Sequence, residues 1–304
     1  MANSDHPIVT ATTLTTYPLL SRGKVRDIYT LSPMALLFIA TDRISAYDVI
    51  LANGIPSKGR LLTQLSAFWF SLLAEKMPEL KTHLIATELP SGLSEEERAA
   101  LEGRSMQVRR LKVLPIESIV RGYITGSAWA EYRRMGTVHG MSMPTGLRES
   151  ERLKEPIWTP STKAEMGQHD ENISADKAAE IIGAAYAERV RELSLKIYGI
   201  AREYAEQRGI IIADTKFEFA VDEVTDEVVL VDEVLTPDSS RFWDREKYEV
   251  GRGQESLDKQ FLRDWLTKEG LKGKNGVSMT DEVVQRTREG YVKAFEMLTG
   301  RKWE

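Results

Sequence analysis

No cysteine occurs among the 304 residues. That excludes disulfides, thiolate metal sites and a cysteine nucleophile, and it fits a reducing compartment. No apolar run approaches the ~20 residues that a membrane-spanning helix needs, so none is expected. The first residues, MANSDHPIVTATTL, have neither the charged start nor the apolar core of a secretory signal, and a cytoplasmic location is the expectation. Positive charge is not in excess. The formal net charge of −5 disfavours non-specific nucleic-acid binding, which depends on neutralising phosphates. Neither a nucleic acid nor a membrane is therefore expected as a partner. A Walker-type G-x-x-x-x-G-K-[ST] is missing, as are an H-R-D loop and a D-F-G. No internal repeat is visible.

What is present is an ordinary globular composition, 42% hydrophobic and 29% charged, in a chain long enough for a large core and two domains. GKVRDIYTL and MALLFIATD read as short strands either side of a Ser-Pro turn. RLLTQLSAFWFSLLAEKM puts Leu61, Leu65, Phe68, Trp69, Leu72 and Leu73 on one helical stripe. Residues 85–105 are polar and acidic and read as a surface insertion, after which strand character returns up to a break at Pro115. Residues 141–174 read as a long loop, a length that often carries function. One long helix is expected after Ser174, its cap, and is expected to stop at Gly209. A hairpin follows around DEVTDE, then two C-terminal helices, the second capped by Thr280. This order predicts an α+β fold with mainly antiparallel sheets. The expected divisions are a β-rich lobe over 1–113, a central lobe over 114–256 and a helical part over 257–304.

The segment IADTKFEF carries the most informative pattern. Residues two apart on a strand share a face, so Asp214, Lys216 and Glu218 line one side and Ala213, Thr215, Phe217 and Phe219 the other. A solvated sheet face would explain this. The sister strand, however, ends in Asp232 and Glu233, and a hairpin brings Asp232 beside Glu218. Opposed like charges destabilise a strand pair, and a bridging cation resolves them. Mg²⁺ takes one or two carboxylates together with phosphate oxygens, which points to a nucleoside triphosphate. Arg241, in the turn segment TPDSSRFW, offers a fork for phosphate or carboxylate. The candidate phosphate loop is SRGKVRDIY, with Arg22, Gly23, Lys24 and Arg26. A basic surface turn would look the same.

Taken together, RGKVRDIY, TDRISAYDVI, LPIESIVRGYITGS, GSAWAEY, IADTKFEF, DEVLTPDSSRFW and DKQFLRDWL resemble the SAICAR synthetases of purine biosynthesis, most closely the fungal, single-function form. Ala220 departs from the glycine expected after KFEF. The resemblance implies an ATP-grasp-like fold with two sheet-containing lobes and C-terminal helices. It implies a ligase that joins the carboxylate of carboxyaminoimidazole ribotide (CAIR) to the amine of L-aspartate and cleaves ATP to ADP and phosphate. By the same resemblance Lys216 and Asp214 are catalytic. Arg22, Gly23, Lys24, Arg26 and Glu117 hold ATP, and Glu218 and Asp232 hold Mg²⁺. Arg121, Ser127 and Arg241 hold CAIR. Arg43, Ser45, Asp48 and Lys58 are candidates for the aspartate pocket, and His169 lies in the long loop that would close over the substrates. A small-molecule kinase on the same scaffold, or a nucleotide-binding module without catalysis, would share several of these features. The apolar stripes are all explicable as core, so a monomer or small homo-oligomer is expected.

Overall fold

The computed structural model describes residues 7–163 and 170–304; His169 lies outside them. β1 (Leu19–Arg22), β2 (Arg26–Ser32) and β3 (Ala35–Ala40) run antiparallel, as the two runs around Pro33 predict. β4 (Ser45–Ala46) and β5 (Val49–Ile50) form a small hairpin. Its turn residues Tyr47 and Asp48 both have positive φ, 52° and 62°, as a tight hairpin requires. α1 (Lys58–Lys76) buries Leu61, Leu65, Trp69 and Leu73 and ends just before Pro78. Next come β6 (Lys81–Thr82) and β7 (Leu84–Ala86). Only His83 separates them, yet they lie in different sheets. The acidic segment is more than an insertion. It contains α2 (Glu95–Leu101), started by a Ser94–Glu97 capping box, and Leu93 and Leu101 pack on Tyr29, Leu37 and Ile39. β8 (Ser105–Arg109) completes a five-stranded sheet in the order β1-β2-β3-β8-β7.

β9 (Lys112–Val113) and β10 (Ile116–Tyr123) are separated by the expected break at Pro115. α3 (Gly126–Met135) was not anticipated; its sequence, GSAWAEYRRM, opens on glycine with no capping side chain. β11 (Thr137–Val138) and β12 (Met141–Ser142) form a short hairpin. The expected long loop then contains β13 (Arg152–Trp158) and β14 (Ser161–Thr162). Pro156 and the charges of Arg152, Lys154 and Glu155 disguise β13, and an edge strand is where both are tolerated. The expected single helix is two, α4 (Ala175–Ile182) and α5 (Ala184–Glu206). Gly183 has φ +89°, a conformation that ends one helix and lets another begin. β15 (Ile210–Asp222) and β16 (Glu227–Val231) form the predicted hairpin, and β17 (Ser240–Asp244) returns along β15. The second sheet runs β13-β10-β15-β16-β6, with β14, β17 and β9 off this path. α6 (Gln260–Lys268) and α7 (Asp281–Thr299) close the chain, α7 capped by Thr280 as predicted. The fold is thus α+β, and its sheets are antiparallel except where β16 meets β6. No helix among the described residues is long and apolar enough to cross a membrane.

The main core lies between the second sheet and helices α1, α5 and α7. β10 and β15 alternate across it: Ser118, Val120 and Gly122 face α5, as do Phe217 and Phe219 of β15, while the intervening residues face away. Gly122 meets the most severe steric limit. A Cβ there would fall 1.9 Å from the Tyr198 hydroxyl, which is buried and donates to the Ile212 carbonyl at 2.7 Å. Gly122→Ala is expected to destabilise the protein by about 1–3 kcal/mol, the usual cost of overpacking a filled core. Denaturant unfolding with an unchanged slope would check it.

Candidate functional site

The faces of β10 and β15 turned from the core meet over a cavity of about 270 Å³. Its wall includes Glu117, Ile119 and Arg121 from β10, and Asp214 and Lys216 from β15. Ser127 comes from α3, Ser239 from the turn before β17, and Ser240 and Arg241 from the start of β17. Register explains the charge pattern. Asp214 is the cross-strand partner of Arg121 on one side and Arg241 on the other. Both guanidinium groups donate to its Oδ2, Arg121 at 2.9 Å. Arg121 also donates to Thr159 Oγ1 at 3.0 Å and Ser127 Oγ at 3.3 Å. Two arginines against one carboxylate leave this corner with net positive charge. Ser127 sits in the first turn of α3, where unpaired N–H groups add positive potential. Gly126 is required there: its φ is +56°, and a Cβ would fall 2.7 Å from the Arg241 guanidinium.

Lys216 stands next along the row. Its Nζ donates to Glu117 and lies 3.8 Å from Glu218. Burial pulls the Lys216 ammonium down, but Glu117 foremost, then Glu218 and Asp232, more than offset this and raise it. Burial raises the Glu117 carboxyl despite Lys216 beside it. Glu218 also pairs with Lys163. Beyond it, Arg26 of β2 pairs with Asp232 and lies 3.6 Å from Glu233. That pair crosses between the two sheets. Burial would raise the Asp232 carboxyl, yet Arg26, Lys216 and Lys163 hold it at about 2, so it is ionised near neutrality. Asp232 has φ +66°, which turns it out of the β16 register.

The structure therefore brings together Glu117, Arg121, Ser127, Asp214, Lys216 and Arg241 around one cavity, with Arg26, Glu218 and Asp232 alongside. Gly23 and Lys24 lie in the loop before Arg26, closed by the Gly23 N–H to the Arg26 carbonyl at 2.8 Å. Arg22 turns to Asp27 and the Thr12 carbonyl. The four aspartate-pocket candidates line no part of this cavity. Arg43 is buried behind the Gly23 loop. Ser45 and Asp48 are on the small hairpin, where Asp48 pairs with Lys24. Lys58 is wholly buried and donates to Asp238 at 2.7 Å, so it supports the wall from behind. Asp238 also accepts from Tyr291 of α7 and lies 3.3 Å from Lys259. Sequence reasoning missed Lys163, and it missed Asp258 and Arg263, which reach the cavity from the residues just before α6 and from α6 itself. The amphipathic run DKQFLRDWL was a signal for the latter two. A lone loop lysine gave none.

His83 lies behind Asp232 with its ring edge-on to Phe38 at 5.6 Å. Burial, aided by Arg26 and opposed by Asp232, holds its pKa at about 4, below the ordinary 6.5. The unfolded chain thus takes up this proton before the folded one, so stability falls as pH drops from about 6.5 towards 4 and levels off below that. We expect this residue alone to account for about 3 kcal/mol of that fall. His83→Phe should flatten the corresponding part of a stability-versus-pH curve measured by urea unfolding.

A cavity with a doubly forked anion corner, a lysine between carboxylates and a basic loop nearby defines a protein that handles small phosphorylated anions. Comparison with known proteins narrows this. The SAICAR synthetase family model matches residues 19–280. Phosphoribosylaminoimidazole-succinocarboxamide synthases of Cyberlindnera jadinii and Saccharomyces cerevisiae are 58% and 57% identical. Each match covers 94% of this chain and 96% or 95% of the relative. Among solved structures, SAICAR synthase from Saccharomyces cerevisiae complexed with SAICAR superposes with a TM-score of 0.88 at 52% identity, covering 97% of this chain and 99% of that one. A SAICAR synthetase in complex with ADP matches at 27% identity and TM-score 0.69, covering 93% and 99%. The chain belongs to the SAICAR synthetase family. That makes it an enzyme of the ligase class.

Proposed function

We propose that this enzyme joins the carboxylate of CAIR to the amine of L-aspartate at the cavity between β10 and β15, consuming ATP, in purine biosynthesis. The observation that carries the reading is the placement of Lys216. It lies between a doubly forked anion corner and the Arg26–Asp232 pair, where a phosphoryl group passing from nucleotide to CAIR would need a cation. The SAICAR bound to the yeast relative and the ADP bound to another support the two halves of this assignment.

In this reading Arg121, Ser127 and Arg241 take the CAIR phosphate, each already aimed at a common corner. Asp214 orients both arginines. Its Oδ2 is taken up by both guanidinium groups, so positioning is its role ahead of proton transfer. Gly23, Lys24 and Arg26, with Arg22 behind them, take the ATP phosphates, and Glu117 faces nucleotide or ribose across Lys216. A CAIR carboxylate oxygen attacks the γ-phosphorus, ADP leaves, and an acyl phosphate forms. The aspartate amine then attacks the carbonyl carbon, phosphate leaves, and the amine gives up a proton. Lys216 neutralises the oxygens in transfer, the main task in phosphoryl chemistry. Ser239, Ser240 and Arg263, at the α6 end of the cavity, offer hydroxyls and a fork for the amino acid's carboxylates.

Glu218 and Asp232 would hold Mg²⁺. The fit is that of a cation completed by nucleotide. No group of three or more acidic or histidine side chains among the described residues forms a protein cage, whereas two carboxylates beside a phosphate loop suit Mg²⁺. When bound, the ion neutralises triphosphate oxygens.

ADP release should require CAIR and L-aspartate together, with the succinyl group appearing in the product. Release with CAIR alone would instead favour a kinase. Lys216→Met should lower turnover by about 10²–10³-fold or more while circular dichroism shows an intact fold. Activity surviving within a few-fold would remove Lys216 from the mechanism.

A further inference from the structure

Arg43 is buried and lines no part of the cavity, and its donors are spent in an instructive way. Nε donates to the Lys24 carbonyl at 3.2 Å, and Nη2 donates to the Gly23 carbonyl at 2.9 Å. Nη2 also donates to Asp27 Oδ1 at 2.8 Å, and Nη1 donates to the Thr10 carbonyl. Four of the five guanidinium N–H groups are thus committed, two of them to consecutive carbonyls of one loop. Asp27 is itself fixed. Its Oδ2 accepts from the Thr12 N–H and hydroxyl, at 3.0 and 2.8 Å. Although burial would raise the Asp27 carboxyl, Arg43 and Thr12 hold it below the usual range. The anchor therefore stays charged.

Peptide units are planar and trans, so a C=O and the N–H of the same unit point in opposite directions. Turning the Gly23 and Lys24 carbonyls towards Arg43 turns the N–H groups of Lys24 and Val25 the other way. Among the described residues no oxygen accepts from either of them. Successive unpaired N–H groups aimed to one side form a concave anion site. We propose that Arg43 is a positioning residue for nucleotide: it holds the Gly23–Val25 loop in the one peptide orientation that presents the Lys24 and Val25 N–H groups to a polyphosphate. This rests on the reading of that loop as the ATP-phosphate loop. It also removes Arg43 from contact with aspartate.

The side chain acts through geometry, so charge alone should not replace it. Lysine keeps the pairing with Asp27 but has no planar fork to span two carbonyls. Arg43→Lys is therefore expected to raise the KM for ATP by about tenfold or more, the scale of losing charged hydrogen bonds. The KM values for CAIR and L-aspartate should stay within twofold, and kcat should change little. The wild-type amide resonances of Lys24 and Val25 should shift on adding ADP, and in the variant those shifts should shrink in step with affinity. If the lysine variant does not fold, Arg43→Gln serves the same comparison, since its amide can reach one carbonyl.

An unchanged KM for ATP in a folded variant, with wild-type amides that respond to ADP, would overturn the role of Arg43 alone. A parallel loss in all three KM values and in melting temperature would reduce Arg43 to general support and overturn it equally. Wild-type amides that ignore ADP would instead overturn the phosphate-loop reading itself, and the inference with it.

Discussion

Everything at this site depends on how β15 carries charge through the middle of a sheet. A buried carboxylate or ammonium is costly unless it is paired and hydrogen-bonded. Asp214, Lys216 and Glu218 stand in a row on one face, and each is matched from a neighbouring element: Arg121 and Arg241, then Glu117, then Lys163. On the strand's other face Phe217 and Phe219 pack under α5. Removing a single partner would strand a charge, so the row behaves as a unit. Such a row makes sense where the pairs are to be re-partnered by a ligand. Arginine forks that now hold Asp214 can share a phosphate, and a lysine between two glutamates can turn to an incoming oxygen.

The charge row also explains why the two halves of the site stay in register. Arg26 comes from the first sheet and Asp232 from the second. Its guanidinium lies over Phe38 at 5.1 Å, so the ion pair is backed by an aromatic surface. On the far side, Asp238 gathers Lys58 of α1, Lys259 just before α6 and Tyr291 of α7. Burial opposes the ionisation of Asp238, but Lys259 and Lys58 pull its carboxyl well below the usual range. The C-terminal helices are thereby tied to the segment that supplies Ser239, Ser240 and Arg241.

Much of this was legible in the chain. Period-two alternation in IADTKFEF marked the charged face, and the hairpin around DEVTDE marked its neighbour. Strand and helix patterns with clear caps, such as Thr280 and Ser174, were found where they were read. The failures share a cause. β13 hides behind Pro156 and its charges because edge strands bear no strong pattern, and α3 lacks a capping side chain. Gly183 fell inside the single expected helix, and only its positive φ makes it a junction. Arg43 and Lys58 were read as cations for the aspartate pocket, and both are buried outside the cavity wall: sequence shows that a cation is present, not which way it faces. The opposing charge of each lies far off in the chain or behind a turn, and only folding brings them together.

The step from β6 to β7 across a single residue has a consequence for how the chain comes to be folded. Lys81 and Thr82 pair with Val229 and Leu230, and Lys112 and Val113 pair with Val221 and Ala220. These early strands have no partner until residues more than a hundred positions later have been made. During synthesis the first sheet can assemble from its own hairpins, while the short strands stitched to the second sheet wait as open edges. Non-local pairing of this kind slows folding and leaves edges prone to association. The brevity of β6 and β9, two residues each, limits that exposure. A nascent chain released before β16 is complete would thus lack the strand partners on which its own N-terminal half relies.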